Sequence, residues 1–138
     1  MAWNTDLLAI RDWIGSVVLT LDPGMRVAFD QPDAEFGAPF ARVETRDATF
    51  HSDSVLTDRL ELTFAISIRI EVSEGNVSEA LLAKAVALRA ALLAQANPAG
   101  VGESPLVRRI QVGQAHKGGT QHDLTVEFSC LLTAGRGI

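Results

Sequence analysis

The sequence predicts an α+β fold: a mixed, mainly antiparallel sheet of about five strands with two helices packed on it, including one long strand and a C-terminal hairpin. Three observations carry this reading. Asp58–Ser73 alternates strictly, with Leu60, Leu62, Phe64, Ile66, Ile68, Ile70 and Val72 on one side and polar or small residues on the other; a period of two marks a strand with one buried face. One segment before it and one after it space their apolar residues by three and four, as amphipathic helices do. Two further alternating runs flank Lys117–Gln121 near the C-terminus.

The first helix is expected from Thr5 to Leu21. Trp3, Leu7, Ile10, Ile14, Val17, Val18 and Leu21 form one stripe. Asn4 is placed to cap it, with Trp3 and Leu8 as a hydrophobic staple and Asp6 in the first turn, where the helix dipole favours an acid. Trp13 lies off the stripe; it either packs in the core or serves as an exposed interface anchor. Asp22-Pro23-Gly24 ends the helix. Met25–Phe29 and Phe40–Thr45 read as short strands, joined by the loop QPDAEFGAP. Arg46–Thr57, RDATFHSDSVLT, reads as a loop of about twelve residues, a length that goes with function or mobility. It holds Phe50, Val55 and Leu56, which either fold back on the core or meet a partner.

A 14-residue strand would span about 46 Å, whereas a compact domain of this length has a diameter of about 37 Å. The strand is therefore expected to bend at a bulge or to project an apolar stripe towards another chain. Glu74-Gly75 closes it, and Asn76 with Glu79 forms a capping box for a helix from Val77 to Ala96. Leu81, Ala85, Leu88 and Leu92 make the seam of that helix, widened by Leu82, Val86 and Leu93, with Lys84 and Arg89 on the other side. NPAGVGESP ends it and leads to the hairpin. There Leu106, Ile110 and Val112 face Leu124, Val126, Phe128, Cys130 and Leu132, with Arg108 as an exception. Even positions face even positions only across an odd number of loop residues, so a three- or five-residue loop around Lys117–Gln121 is expected. Residues 133–138 read as a flexible tail.

At 138 residues with 47% hydrophobic and 21% charged residues, the chain suits one domain, 1–138, that needs no metal or disulfide staple. Its one cysteine excludes an internal disulfide. No apolar run reaches the ~20 residues of a membrane helix, and the opening MAWNTDLLAIRD carries acids where a signal peptide is basic. A net charge of −5 lacks the basic footprint of a nucleic-acid reader. Residues 1–78 hold 13 acids and 6 bases (net −7) and residues 79–138 hold 4 acids and 6 bases (net +2), which suits unlike surfaces that meet when copies assemble.

Catalytic chemistry finds little support in the residues. His116 and His122 lie opposite each other in one hairpin register, but no third ligand has recognisable spacing, so both read as exposed loop-tip histidines. Cys130 falls on the apolar face of the last strand, as a small buried hydrophobe does. No nucleophile elbow, zinc-protease or P-loop motif occurs. No catalytic, cofactor or metal residue is assigned. The candidate assembly contacts are Phe50, His51, Val55 and Leu56 in the first loop, His116, Lys117 and His122 at the hairpin, and Trp13.

The order of elements is more informative. WNTDLLAIRDWIGSVV leads to two short strands; LELTFAISIRIEV leads to SEALLAKAVALRAALLA; RRIQVGQ and HDLTVEFSCLL close the chain. Over residues 3–132 this layout resembles the tail terminator, or tail-completion, proteins of long-tailed bacteriophages. The resemblance implies a non-enzymatic, cofactor-free structural protein that forms a ring, a homohexamer, at the head-proximal end of the virion tail after assembly in the host cytoplasm. It implies as partners other copies of the chain, the tail tube protein and a neck or head-completion protein, with DNA passing through the lumen unread and no membrane involved. Two readings stand beside it: a neck or head–tail joining protein, and a small oligomeric α+β ligand-binding domain or enzyme.

Overall fold

The alternating segment forms the centre of the sheet, as its pattern predicts. In the computed structural model, which describes residues 2–31, 37–72, 75–95, 97–116 and 120–135, with the side chains of 114–116 left aside, the elements are α1 (Trp3–Leu21), β1 (Arg26–Phe29), β2 (Phe40–Ser52), β3 (Thr57–Glu71), α2 (Val77–Leu93), a 3-10 turn at Pro98–Gly100, β4 (Glu103–His116) and β5 (Gln121–Gly135). The sheet order is β1-β2-β3-β5-β4. β1 runs parallel to β2 and every other pair is antiparallel. The expected mixed, mainly antiparallel sheet with two helices is thus the observed fold.

Both helices lie on one face of the sheet, α1 against β1 and β2 and α2 against β4 and β5. The even face of β3 and β5 meets them: Leu60, Leu62, Phe64, Ile66, Leu124, Val126 and Phe128 are fully buried with Ile10 and Ile14 of α1 and Leu81, Leu88 and Leu92 of α2. Each such side chain contributes about 1.5–3 kcal/mol by leaving water. Asn76 caps α2 as expected, its Oδ1 accepting from the Glu79 N–H at 3.2 Å.

Several expectations need correcting. α1 begins two residues early, at Trp3, on an Ala2 cap that makes no side-chain hydrogen bond. Trp3 meets Phe50 edge-on at 5.5 Å between ring centroids, so a tertiary contact draws it into the first turn and Asn4 never acts as the cap. Leu21 ends half-exposed, and Leu82 and Val86 are exposed rather than part of the α2 seam. Arg46–Thr57 is not a long loop. Asp47–Ser52 pairs residue for residue with Asp58–Thr63 of β3. Arg46 is an extra residue at a bulge between Thr45 and Asp47, which shifts the side-chain phase by one. Ala41 and Val43 face the core before it, Ala48 and Phe50 lie opposite Leu62 and Leu60 after it, and the broken phase conceals the strand.

The long strand itself neither bulges nor projects bare. It pairs with β5 without interruption from Thr57 to Glu71. Its own helices cover Leu60 through Ile68 on the inward side, because α1, 19 residues long, extends about 28 Å at 1.5 Å per residue.

The C-terminal hairpin keeps the expected facing of Ile110 to Val126 and Val112 to Leu124, but His116 pairs with Gln121. That leaves four residues between the strands, and a register shift between Val112 and Ala115 restores the parity. Gly113 sits in that shift, where a Cβ would stand 2.8 Å from the Asp123 carbonyl oxygen; only glycine allows the backbones so close. A second shift between Val107 and Arg109 turns Leu106 out to 48% exposure while Val107 packs on the core. The same shift explains why Arg108 breaks the apolar alternation. The expected tail at 133–138 is strand as far as Gly135, and 136–138 lie outside the described residues.

Candidate functional site

The turn between β2 and β3 is built by one hydroxyl. Ser54 Oγ accepts from the N–H groups of Leu56 (3.2 Å) and Thr57 (3.1 Å) and shares a 2.8 Å hydrogen bond with Thr57 Oγ1. The Asp53 and Ser54 N–H groups donate to the Thr57 carbonyl at 3.3 and 2.9 Å. With its backbone so held, the turn presents Val55 at 84% and Leu56 at 77% exposure, beside half-exposed Phe50 and exposed His51. Four of the sequence candidates therefore meet at one end of the molecule. Ordering such a tip before contact lowers the entropy lost on binding.

The other candidates fall elsewhere. His116 ends β4 and His122 lies near the start of β5, at the opposite end of a 15-residue strand pair, about 50 Å away at ~3.3 Å per residue. Lys117 lies outside the described residues, as does the side chain of His116. His122 pairs with Ala115 rather than His116 and is 6% exposed. The expected loop-tip position for His122 is thus overturned: it faces inward with Leu124 and Val126. Its Nε2 has no hydrogen-bond partner among the described residues. Trp13 does pack inward, its ring 5.9 Å from that of Phe128. Its remaining edge lines a groove of about 400 Å³ between α1 and α2, with Val17, Thr20, Ala91 and Ala94.

The sheet face away from the helices is polar. Arg69 donates to both carboxylate oxygens of Asp123, at 2.8 and 3.2 Å. Arg108 reaches Glu61 at 3.0 Å and the buried Ser129 hydroxyl at 3.1 Å. A cavity of about 270 Å³ on this face is lined by Arg46, Asp47, Thr63, Arg109, Thr125 and Glu127, a mixture of both charges. Cys130 is buried, and desolvation pushes its thiol up to about 12, which keeps it protonated and unreactive at neutral pH. Among the described residues no group of three or more His, Cys, Asp or Glu is arranged to hold a metal ion, and no helix is long and apolar enough to cross a membrane.

One surface escaped the sequence reading. α2 exposes Leu82 at 48% and Val86 at 65% on its outer side. The available signal was that Leu, Val and Ala surround this helix on every side; a helix apolar all round is ordinarily buried all round.

No protein-family model matches the sequence, and no curated protein matches it. Solved structures do share the fold. A chain from the virion of a native gene transfer agent particle superposes with a TM-score of 0.63 at 15% identity, over 93% of this chain and 94% of that chain. A second solved chain, whose name carries no functional description, gives a TM-score of 0.51 at 19% identity over 93% of this chain and 94% of its own.

Proposed function

We propose that this chain is a structural virion protein of a phage-like particle, a tail terminator whose copies form a hexameric ring. The ring caps the tail tube, ends its polymerisation and joins it to the neck, and DNA passes through its lumen unread. The observation that carries the reading is the shared fold with a gene transfer agent virion chain over nearly the full length of both. It is supported by the preordered apolar tip at Val55 and Leu56 and by the unlike charges of the two parts of the sequence, which suit contacts between dissimilar surfaces.

Electron microscopy of negatively stained protein, alone and mixed with tail tubes of the particle, tests the proposal. Six-fold rings seated on tube ends are the expected result. Rings that bind the head-completion protein and ignore tubes would make it a neck protein. A compact dimer indifferent to both would overturn the virion reading in favour of a ligand-binding domain.

A further inference from the structure

We infer that two copies of this chain pair across a two-fold axis, their α2 helices packed antiparallel through the outward side that carries Leu82 and Val86. The contact is separate from the ring proposed above. A two-fold contact joins a pair and cannot by itself close a ring, so it pairs free copies or joins one ring to a second.

α2 is covered on two sides only. Leu81, Ala85, Leu88 and Leu92 are buried in the core. Lys84 reaches Asp22 at the end of α1, 3.3 Å away, and Ala91 lines the groove with Trp13, so these residues mark the flank that faces α1. At about 100° per residue, Leu82 and Val86 stand away from both, on the side of edge strand β4. Exposed Ala83, Ala87 and Ala90 lie beside them, small enough for a second helix to approach to about 8–10 Å between axes. Val112 of β4 extends this apolar surface. It stands opposite Leu124, on the helix-covered side of the sheet, yet is 41% exposed, so its own helices leave it uncovered.

Charge identifies the occupant as a second copy. Glu79, Lys84 and Arg89 are the charged residues of α2. Lys84 is held by Asp22, whereas Glu79 and Arg89 are exposed and form no ion pair with a described residue. Glu79, Leu82, Val86 and Arg89 follow one another at spacings of three, four and three, which makes one stripe along the helix. Glu79 and Arg89 are symmetric about position 84, and so are Leu82 and Val86. A single antiparallel register therefore sets Leu82 against Val86 twice and Glu79 against Arg89 at both ends. The stripe is its own complement, as a two-fold contact requires. Like charges then stand about 15 Å apart along the helix, beyond the Debye length of about 8 Å. A parallel copy would set Glu79 on Glu79 and Arg89 on Arg89, which opposes it. The charges of β4 do not interfere: Glu103 and Arg109 pair with Leu131 and Glu127 on the polar side of the sheet, where Arg108 reaches Glu61.

The test uses the full chain carrying Val86→Cys, treated in solution with a short bifunctional maleimide, beside Ala94→Cys as a control. Cys130 stays in place because it is buried. In the inferred register, position 86 of one copy lies about 6 Å along the helix from position 86 of the other, whereas the two positions 94 lie about 30 Å apart. Covalent dimers from Val86→Cys and none from Ala94→Cys are expected; any other pattern overturns the inference. In sedimentation equilibrium, Arg89→Glu alone should weaken the dimer about fivefold or more, since two repulsive pairs replace two attractive ones, with circular dichroism unchanged. Adding Glu79→Arg should restore it. An unweakened single variant or an unrestored double variant overturns the contact. Dimers that cross-link while the protein leaves tubes uncapped would defeat the tail-terminator reading and leave the contact standing. Capped tubes without cross-links would defeat the contact alone.

Discussion

Gly15 and Phe29 offer a perturbation whose sign depends on its partner. Gly15 lies on the buried side of α1, and the ring of Phe29 occupies the space its side chain would fill. A Cβ there would stand 2.6 Å from Phe29 Cε1 and nearer still to Cζ. Arg11 covers the same ring, its guanidinium carbon 5.0 Å from the ring centroid, so the ring moves only by giving up that contact. Alanine is favoured over glycine inside a helix by about 1 kcal/mol, whereas overpacking costs about 1–3 kcal/mol. Taking about 2 kcal/mol for the clash, Gly15→Ala should destabilise the protein by about 1 kcal/mol, a fall in melting temperature of about 4 °C. In a Phe29→Ala background the clash is gone and the same change should stabilise by about 1 kcal/mol. Urea denaturation of the four proteins in the cycle, followed by circular dichroism, measures the coupling of about 2 kcal/mol. An effect of the same sign in both backgrounds would refute the reasoning.

Ile66, fully buried between its strand partners Val43 and Val126, should not tolerate Ile66→Asp, which is expected to abolish folding by circular dichroism. Phe50→Ala, at a half-exposed position, should keep the fold and weaken assembly; equal loss of thermal stability in the two variants would contradict this distinction. Burial opposes ionisation of Asp30, but the Thr45 N–H at 2.6 Å and Arg11 at 2.9 Å outweigh it and hold the carboxyl below its usual range. The stability this gives is present above the unfolded-state value near pH 4 and is lost as pH falls through the lower folded-state value. Asp30→Asn should therefore flatten the acid limb of a urea-midpoint profile, and an unchanged slope would count against that role. Cys130 should resist a thiol reagent in native buffer and react at once in denaturant; stoichiometric labelling of the folded protein would contradict its buried place.

What the sequence alone determined is the set of elements whose signal repeats. The even residues of β3 and β5, the Leu7–Ile10–Ile14–Val18 stripe and the Leu81–Ala85–Leu88–Leu92 seam are buried as their periodicity requires, because one unbroken period fixes which side of a strand or helix meets the core. Val55 and Leu56 belong to no periodic face, so the sequence left open whether they fold back on the core, and the tertiary structure exposes both. Tertiary structure decided what a change of phase or a distant contact controls. The bulge at Arg46 turned an apparent loop into the outer half of β2, and the shifts in β4 exchanged Leu106 for Val107 and set His122 opposite Ala115. It also decided which apolar residues remain uncovered. Leu82 and Leu81 are adjacent and chemically identical, and only the placement of α2 over the β4–β5 side buries one and leaves the other exposed.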